Sequence, residues 1–305
     1  MRILKTAIAV AAVSATSALS GCMLWSPARA RIPVPPVPLG AENVTFPSRS
    51  GSVIHAWFAR GRRGDGAVLL LHGVGSNRTS MLARAELLHG EGFSVLAPDF
   101  QAHGESGGDV ITFGARESFD AQAAVGFLEH ELPGERVGVI GVSMGGAASL
   151  LGPGPLDVNA FVLESVYPTI RQAVRDRIGT WLGPLGAIGK LFTPALVGVL
   201  GTEIGVPESA LEPIQRIGEV HAPVLLIAGT ADPYTPLVEA ESLYARAPQP
   251  KTFWAVRGAG HEDLYAYAGR EYARRVSAFL ERYLRAAPAA PAAQTVDAAA
   301  SPAVR

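Results

Sequence analysis

One feature constrains this chain more than any other: short, nearly unbroken apolar runs recur between longer amphipathic stretches. The runs lie at 67–71, 94–97, 137–140, 160–163, 224–228 and 252–256, and each is bounded by Gly, Pro or Asp. A strand that is apolar at consecutive positions must be covered on both faces, because its side chains alternate between them. Helical stretches separate the runs, at 79–88, 115–132, 238–247 and 265–284. Strands alternating with helices in this way imply an α/β fold with a mostly parallel central sheet flanked by helices. Residues 44–46 and 53–59 read as an antiparallel lead-in, and no internal repeat is present.

One segment departs from the rhythm. Between Ile178 and Thr202 the single charge is Lys190, and Gly stands at 179, 183, 186, 189, 198 and 201. A membrane-spanning helix fits the composition, but Pro184, Pro194 and the mid-segment lysine argue against it. A cap of short helices inserted over the sheet, over about 166–212, is the expectation.

The N-terminal segment stands apart from the fold. Arg2 and Lys5 precede an uncharged run from Thr6 to Leu19, which is short of the roughly 20 residues a bilayer span needs. That is the form of an export signal. It ends in Leu19-Ser20-Gly21-Cys22, which resembles the bacterial lipoprotein box, where the cysteine is lipidated and becomes the new N-terminus. The resemblance implies a signal peptide over 1–21, lipidation of Cys22 and anchoring to the cell envelope. Met23, rather than Asp, after the cysteine implies the outer membrane. An ordinary signal peptide with a fortuitous cysteine is the alternative. Cys22 is the sole cysteine of the chain, so an internal disulfide and a Cys-rich zinc site are both excluded.

Residues 22–40 contain Pro33, Pro35, Pro36 and Pro38, and proline favours extended polyproline II, so this stretch is expected to act as a semi-rigid stalk. Residues 286–305 are rich in Ala and Pro without apolar periodicity and are expected to be a disordered tail. One domain remains over 41–285. Lys and Arg number 26 against 27 Asp and Glu, without a basic run, so a nucleic-acid partner is not expected.

Within the domain, Gly141-Val142-Ser143-Met144-Gly145 fits G-x-S-x-G, and so does Gly104-Glu105-Ser106-Gly107-Gly108. The pattern needs a strand entering and a helix leaving, so that a sharp turn lifts the hydroxyl above the sheet edge. Ser143 has the run 137–140 before it and the small-residue stretch from Gly146 after it. Ser106 lies between two polar loops and is the decoy.

Several separated motifs together resemble the α/β-hydrolase-fold serine hydrolases, over about 44–284. Leu71-His72-Gly73-Val74-Gly75 is similar to the family's His-Gly oxyanion loop. Asp99-Phe100-Gln101-Ala102-His103-Gly104-Glu105-Ser106 is similar to its Asp-x-x-Gly-His-Gly-x-Ser loop, with Ala102 in place of the usual Gly. Leu226-Ile227-Ala228-Gly229-Thr230-Ala231-Asp232 resembles the strand and turn that carry the triad acid, and Gly258-Ala259-Gly260-His261 the loop of the catalytic histidine. The resemblance implies a triad of Ser143, Asp232 and His261, with the backbone N–H groups of Val74 and Met144 as oxyanion hole. It implies an esterase-like enzyme without a cofactor.

The residue chemistry agrees. A serine hydroxyl attacks only when a neighbouring base takes its proton. Imidazole titrates near neutral pH and suits that role, and a carboxylate on its other nitrogen would hold the useful tautomer. Asp232 also stands before Pro233, where a plain turn aspartate would fit. Asp263 is the competing acid, but lies too close in sequence to reach around the ring. His72 is expected to brace the oxyanion loop and His103 its neighbour, and Glu117 and Asp120 to form ordinary ion pairs near Arg116 on a helix. His261-Glu262-Asp263-Leu264-Tyr265 is not H-E-x-x-H, so no metal site is expected.

Cleavage of a carboxylic ester or thioester, through an acyl-enzyme, is the first expectation for function. A peptidase of the same fold is the nearest alternative, and a non-catalytic surface lipoprotein that keeps the fold for binding is the alternative of another class. The expected partners are a small-molecule ester or acyl substrate and, through the lipid anchor, a membrane.

Overall fold

The computed structural model describes residues 25–35 and 39–285. The signal peptide read over 1–21, Cys22, and the tail over 286–305 lie outside the described residues. An eight-stranded sheet forms the centre. Its strands are β2 (Glu42–Pro47), β3 (Val53–Ala59), β4 (Ala67–Leu71), β5 (Ser94–Pro98), β7 (Val137–Val142), β8 (Ala160–Glu164), β9 (Val224–Gly229) and β10 (Lys251–Val256). Their spatial order is β10-β9-β8-β7-β4-β5-β3-β2. Every pairing from β10 to β5 is parallel, whereas β3 runs antiparallel to both β5 and β2. This is the α/β-hydrolase fold, a mostly parallel sheet flanked by helices.

The unbroken apolar runs are explained by the two cores that the sheet separates. Along β4, Leu69 and Leu71 enter one core while Val68 and Leu70 enter the other, and all four are fully buried. The first core is closed by the helices Glu117–Glu131 and Met144–Leu150 and by part of the cap. The second is closed by Leu82–Gly90 and Arg270–Leu284. Burying a leucine on either face contributes about 2 kcal/mol, so a polar substitution in β4 has no solvent face to turn to.

Strand order determines where chemistry can happen. From β4 the chain crosses to β5 on one side, and β7 then packs on the other side of β4. The crevice at the carboxyl ends of β4 and β7 is thus a topological switch point, where ligands of open α/β sheets bind. Gly73-Val74 follows β4 and Ser143 follows β7.

Three local findings refine the sequence reading. The helix expected over 265–284 is two helices, Leu264–Ala268 and Arg270–Leu284, because Gly269 turns the chain at φ 49°. The stretch read as a stalk carries a strand. β1 (Ala28–Arg29) pairs with β6 (His103–Gly104), and Trp25 O accepts the Ile111 N–H at 2.8 Å. Backbone hydrogen bonds to the loop after β5 thus tie down Trp25 to Ala30, upstream of the proline cluster. The insertion between β8 and β9 is a chain of short helices. Ile170–Trp181 leads, Gly186–Gly189 and Thr193–Ile204 follow, and Pro213–Arg216 is the last α-helix before β9. Pro194 sits in the first turn of Thr193–Ile204, where its missing N–H costs nothing.

Candidate active site

β7 delivers Ser143 to a turn at φ 51°, ψ −112°, from which the helix Met144–Leu150 departs. A non-glycine residue in the left-handed region is strained by on the order of 1–3 kcal/mol and persists only where its surroundings hold it. Here the Ser143 N–H donates to Glu164 O at 2.8 Å, and Ser143 O accepts from the Ala147 N–H at 3.0 Å. The helix also has to pass close to β4. A Cβ on Gly145 would stand 2.3 Å from Leu71 O and 2.7 Å from His72 O, so only glycine fits.

Asp232 and His261, brought by the loops after β9 and β10, are joined. His261 Nδ1 lies 2.8 Å from Asp232 Oδ2. The carboxylate also accepts the N–H groups of Tyr234 and Thr235 at 2.9 Å and the Thr235 hydroxyl at 2.6 Å. Burial raises the carboxyl pKa, but the hydrogen bonds from His261 and Thr235 outweigh it and hold the group below its ordinary value. Asp232 is therefore the ionised partner that orients the ring, and the Tyr234 ring stands edge-on to it at 5.5 Å. Among the described residues, the Ser143 hydroxyl makes no hydrogen bond to His261. Such contacts tighten when substrate binds.

Val74 and Met144 face the same cavity as Ser143, a space of about 200 Å³ whose other walls include Trp25, Phe113 and the cap residues Ile178, Trp181 and Leu200. The charged residues on it are Arg177 and Glu203. Arg177 lies over the Tyr234 ring at 5.3 Å.

The loop that carries Val74 is braced from below. His72 Nδ1 donates to Gly73 O at 2.8 Å, and its Nε2 accepts the Phe100 N–H at 3.1 Å. His103 Nε2 accepts the Gly75 N–H at 3.1 Å, and its Nδ1 donates to Gln101 O at 2.9 Å. Each ring needs one bare nitrogen, so both are neutral. Burial lowers the His72 pKa to about 3, and burial lowers that of His103 as well. Ser106 is structural, its hydroxyl donating to Asp99 O at 2.7 Å and accepting the His55 N–H at 3.0 Å.

Glu117 and Asp120 correct the sequence reading. Both are fully buried, and their partners are polar groups of the preceding loop rather than Arg116. Glu117 accepts from Gln101, Thr112 and the Gly114 N–H, and Asp120 from the Gln101 N–H. They tie the loop after β5 to its helix, and the spacing resembled ordinary ion pairing because nothing local reports burial.

Behind the elbow lies a network that sequence reasoning did not find. Arg84, 2 % exposed, donates to Glu164 Oε2 and to the Tyr272 hydroxyl, at 2.8 and 3.0 Å. It also pairs with Asp263 at 2.8 Å, and Tyr272 donates to Glu164. Glu164 supports the elbow through its own carbonyl, and Asp263 stands two residues beyond His261. One buried guanidinium thus connects the back of the elbow to the histidine loop. Asp263, the competing acid, is engaged by Arg84 and caps the helix Leu264–Ala268, accepting the Tyr265 N–H at 2.9 Å.

Comparison with known proteins agrees with this architecture. A model of the alpha/beta hydrolase family matches residues 68–276. An uncharacterized protein from Mycobacterium tuberculosis is 30% identical over 286 residues, covering 90% of this chain and 93% of that one. Another, from Bacillus subtilis, is 25% identical over 252 residues, with coverage of 79% and 80%. Among solved structures, an esterase from Pyrococcus furiosus superposes with a TM-score of 0.68 at 25% identity, covering 84% of this chain and 97% of that one. An esterase from Exiguobacterium antarcticum, 15% identical with a TM-score of 0.59 over 79% of this chain and all of that one, shares the fold.

Proposed function

The chain belongs to the alpha/beta hydrolase family, and from that membership we propose that it is a serine hydrolase of carboxylic esters or thioesters. One observation carries the reading. Ser143 sits on a strained strand-to-helix turn, facing a cavity that Val74 and Met144 also face, with a hydrogen-bonded Asp232–His261 pair supplied by the loops after β9 and β10.

The chemistry follows from these positions. Ser143 Oγ attacks the substrate carbonyl while His261 Nε2 takes its proton, and Asp232 holds the ring by Nδ1 and stabilises the imidazolium. The N–H groups of Met144 and Val74 receive the oxyanion, where a single donor is worth about 3 kcal/mol. The imidazolium then protonates the departing alkoxide or thiolate. Water attacks the acyl-enzyme with His261 again as base, releasing the acid and restoring Ser143. The apolar cavity walls suit the acyl group.

Fluorophosphonate labelling of wild type beside Ser143→Ala and His261→Ala tests this directly. Labelling of wild type alone is expected. Label retained by Ser143→Ala would place the nucleophile elsewhere, and a folded but unlabelled wild type would favour a binding module. A chain-length series of nitrophenyl esters reports the acyl preference. The apolar walls lead us to expect activity to rise beyond acetate, and best activity on acetate with steep decline thereafter would refute a lipidic acyl group.

We also propose that the protein is exported and lipid-anchored to the cell envelope at Cys22. The uncharged run of Thr6 to Leu19 and the single, box-placed cysteine support this. Mass spectrometry of the mature N-terminal peptide tests it: acylated Cys22 is expected, and an N-terminus elsewhere would refute it.

A further inference from the structure

The cap turns an apolar face to solvent. Trp181, Leu182, Leu185, Ile188, Leu191, Phe192 and Val199 are 40–77 % exposed, and they account for most of the large hydrophobic side chains that the described residues expose to this degree. Along Gly183–Ile204, only 22% of the most apolar stretch is buried. Scattered exposed leucines need no explanation, but a contiguous set of this size marks an interaction surface. Pro184 and Pro194 each stand in the first turn of a separate helical piece, Gly183–Leu185 and Thr193–Ile204, so the stretch is not one regular α-helix.

Three further observations choose the partner. The apolar face is continuous with the cavity, since Trp181 and Val199 are both exposed on the cap and part of the cavity wall beside Ser143. Its border carries Arg175 and Lys190, which line one groove together with Leu191 and Pro194, while Arg171 of the same groove is paired with Glu208. Such a border suits anionic lipid headgroups around an immersed apolar centre. Finally, Trp25 is another residue of the cavity wall. Cys22 precedes it by three residues in sequence, and three peptide units span at most about 11 Å. An anchor at Cys22 therefore holds this face, rather than the opposite one, against the bilayer.

We propose that the cap docks on a lipid bilayer through Trp181, Leu185, Ile188, Leu191 and Phe192, so that the catalytic cavity opens toward the membrane. The orienting part of the argument rests on the anchor at Cys22 proposed above; the apolar face and its continuity with the cavity stand without it. An acyl substrate then passes from the bilayer along Trp181 and Val199 to Ser143 without crossing bulk water, where exposing its chain would be costly.

The test uses the full chain bound to vesicles of phosphatidylcholine with a minority of phosphatidylglycerol, with bromine on the acyl chains as a short-range quencher of tryptophan. Trp57 and Trp254 are buried and serve as silent references. Quenching of the wild type is expected, reduced at least twofold in Trp181→Phe. In the triple variant Leu185→Glu, Ile188→Glu, Leu191→Glu it should fall at least fivefold, with unchanged circular dichroism and unchanged hydrolysis of a soluble short-chain ester. Flotation and N-terminal mass spectrometry report the anchor separately. A chain that floats without quenching keeps the anchor and overturns the docking. Quenching without acylated Cys22 keeps the docking and removes the anchor. A triple variant quenched like wild type overturns the proposal. So does a wild-type dimer that the triple variant dissociates without any lipid quenching, which would assign the face to a second copy of the chain.

Discussion

Replacing Arg84 with Met separates the electrostatic support behind the elbow from simple packing. Methionine retains most of the apolar stem and fills irregular space well, so the loss is that of the guanidinium. Arg84 is 2 % exposed and Glu164 fully buried. Burial works against the arginine's charge, but Glu164, Tyr272 and Asp263 outweigh it and hold its pKa above the ordinary value. Removing one member of such a pair leaves a buried carboxylate with the Tyr272 hydroxyl alone, at a cost of about 3–5 kcal/mol. For a domain of this size each kcal/mol lowers Tm by about 2–4 °C, so a loss on the order of 6–20 °C is expected. Asp263→Asn is the paired control. Its side chain is 40 % exposed in the pair, and asparagine keeps the helix cap, so less than about 1 kcal/mol should be lost. Both variants break the connection between the elbow and the histidine loop. Both should therefore react more slowly with fluorophosphonate, although only one is strongly destabilised. Thermal melts and labelling rates read the two effects. A Tm change in Arg84→Met of under about 2 °C would refute the energetic reasoning, and wild-type labelling rates in both variants would refute the positioning role.

Three other perturbations are equally specific. Asp232→Asn keeps an acceptor for the N–H groups of Tyr234 and Thr235 but favours the wrong imidazole tautomer, so kcat on a nitrophenyl ester should fall by about 10⁴ with the fold intact; a loss under about tenfold would remove Asp232 from the triad. Ser106→Ala deletes a buried hydroxyl bonded to Asp99 O and the His55 N–H and should cost about 1–2 kcal/mol in thermal or denaturant melts while leaving labelling intact. If labelling disappeared from a folded variant, Ser106 would be the nucleophile. Glu239, on the helix Leu237–Arg246, faces Asp176 of the cap helix Ile170–Trp181. Burial, then the Asp176 carboxylate, push its pKa up from 4.5 to about 8. Between those values the folded chain holds a proton that the unfolded chain releases, so this group makes stability fall as pH rises through the window. Glu239→Gln should flatten that fall, matching wild type near pH 5 and melting above it near pH 9; parallel Tm–pH curves would contradict the assignment.

The sequence by itself determined the layering of this protein. Short apolar runs such as β4, β7 and β8, bounded by Gly, Pro or Asp and too brief for helices, fit a sheet covered on both faces, and the strand-to-helix turn at Gly141–Gly145 can be read within a dozen residues because its strand, serine and small-residue helix are local. The chain order of Ser143, Asp232 and His261 was legible for the same reason, each standing just beyond an apolar run. What only the tertiary structure decided depends on which strands become neighbours. Arg84 meets Glu164 across 80 positions and Tyr272 across 188, Glu117 and Asp120 are buried because the loop after β5 folds over them, and Trp25, in a stretch whose prolines suggested a free stalk, becomes part of the cavity wall. Periodicity reports which side of an element is apolar, whereas partners so distant in the chain are set by the order of strands in the sheet, which no local pattern encodes.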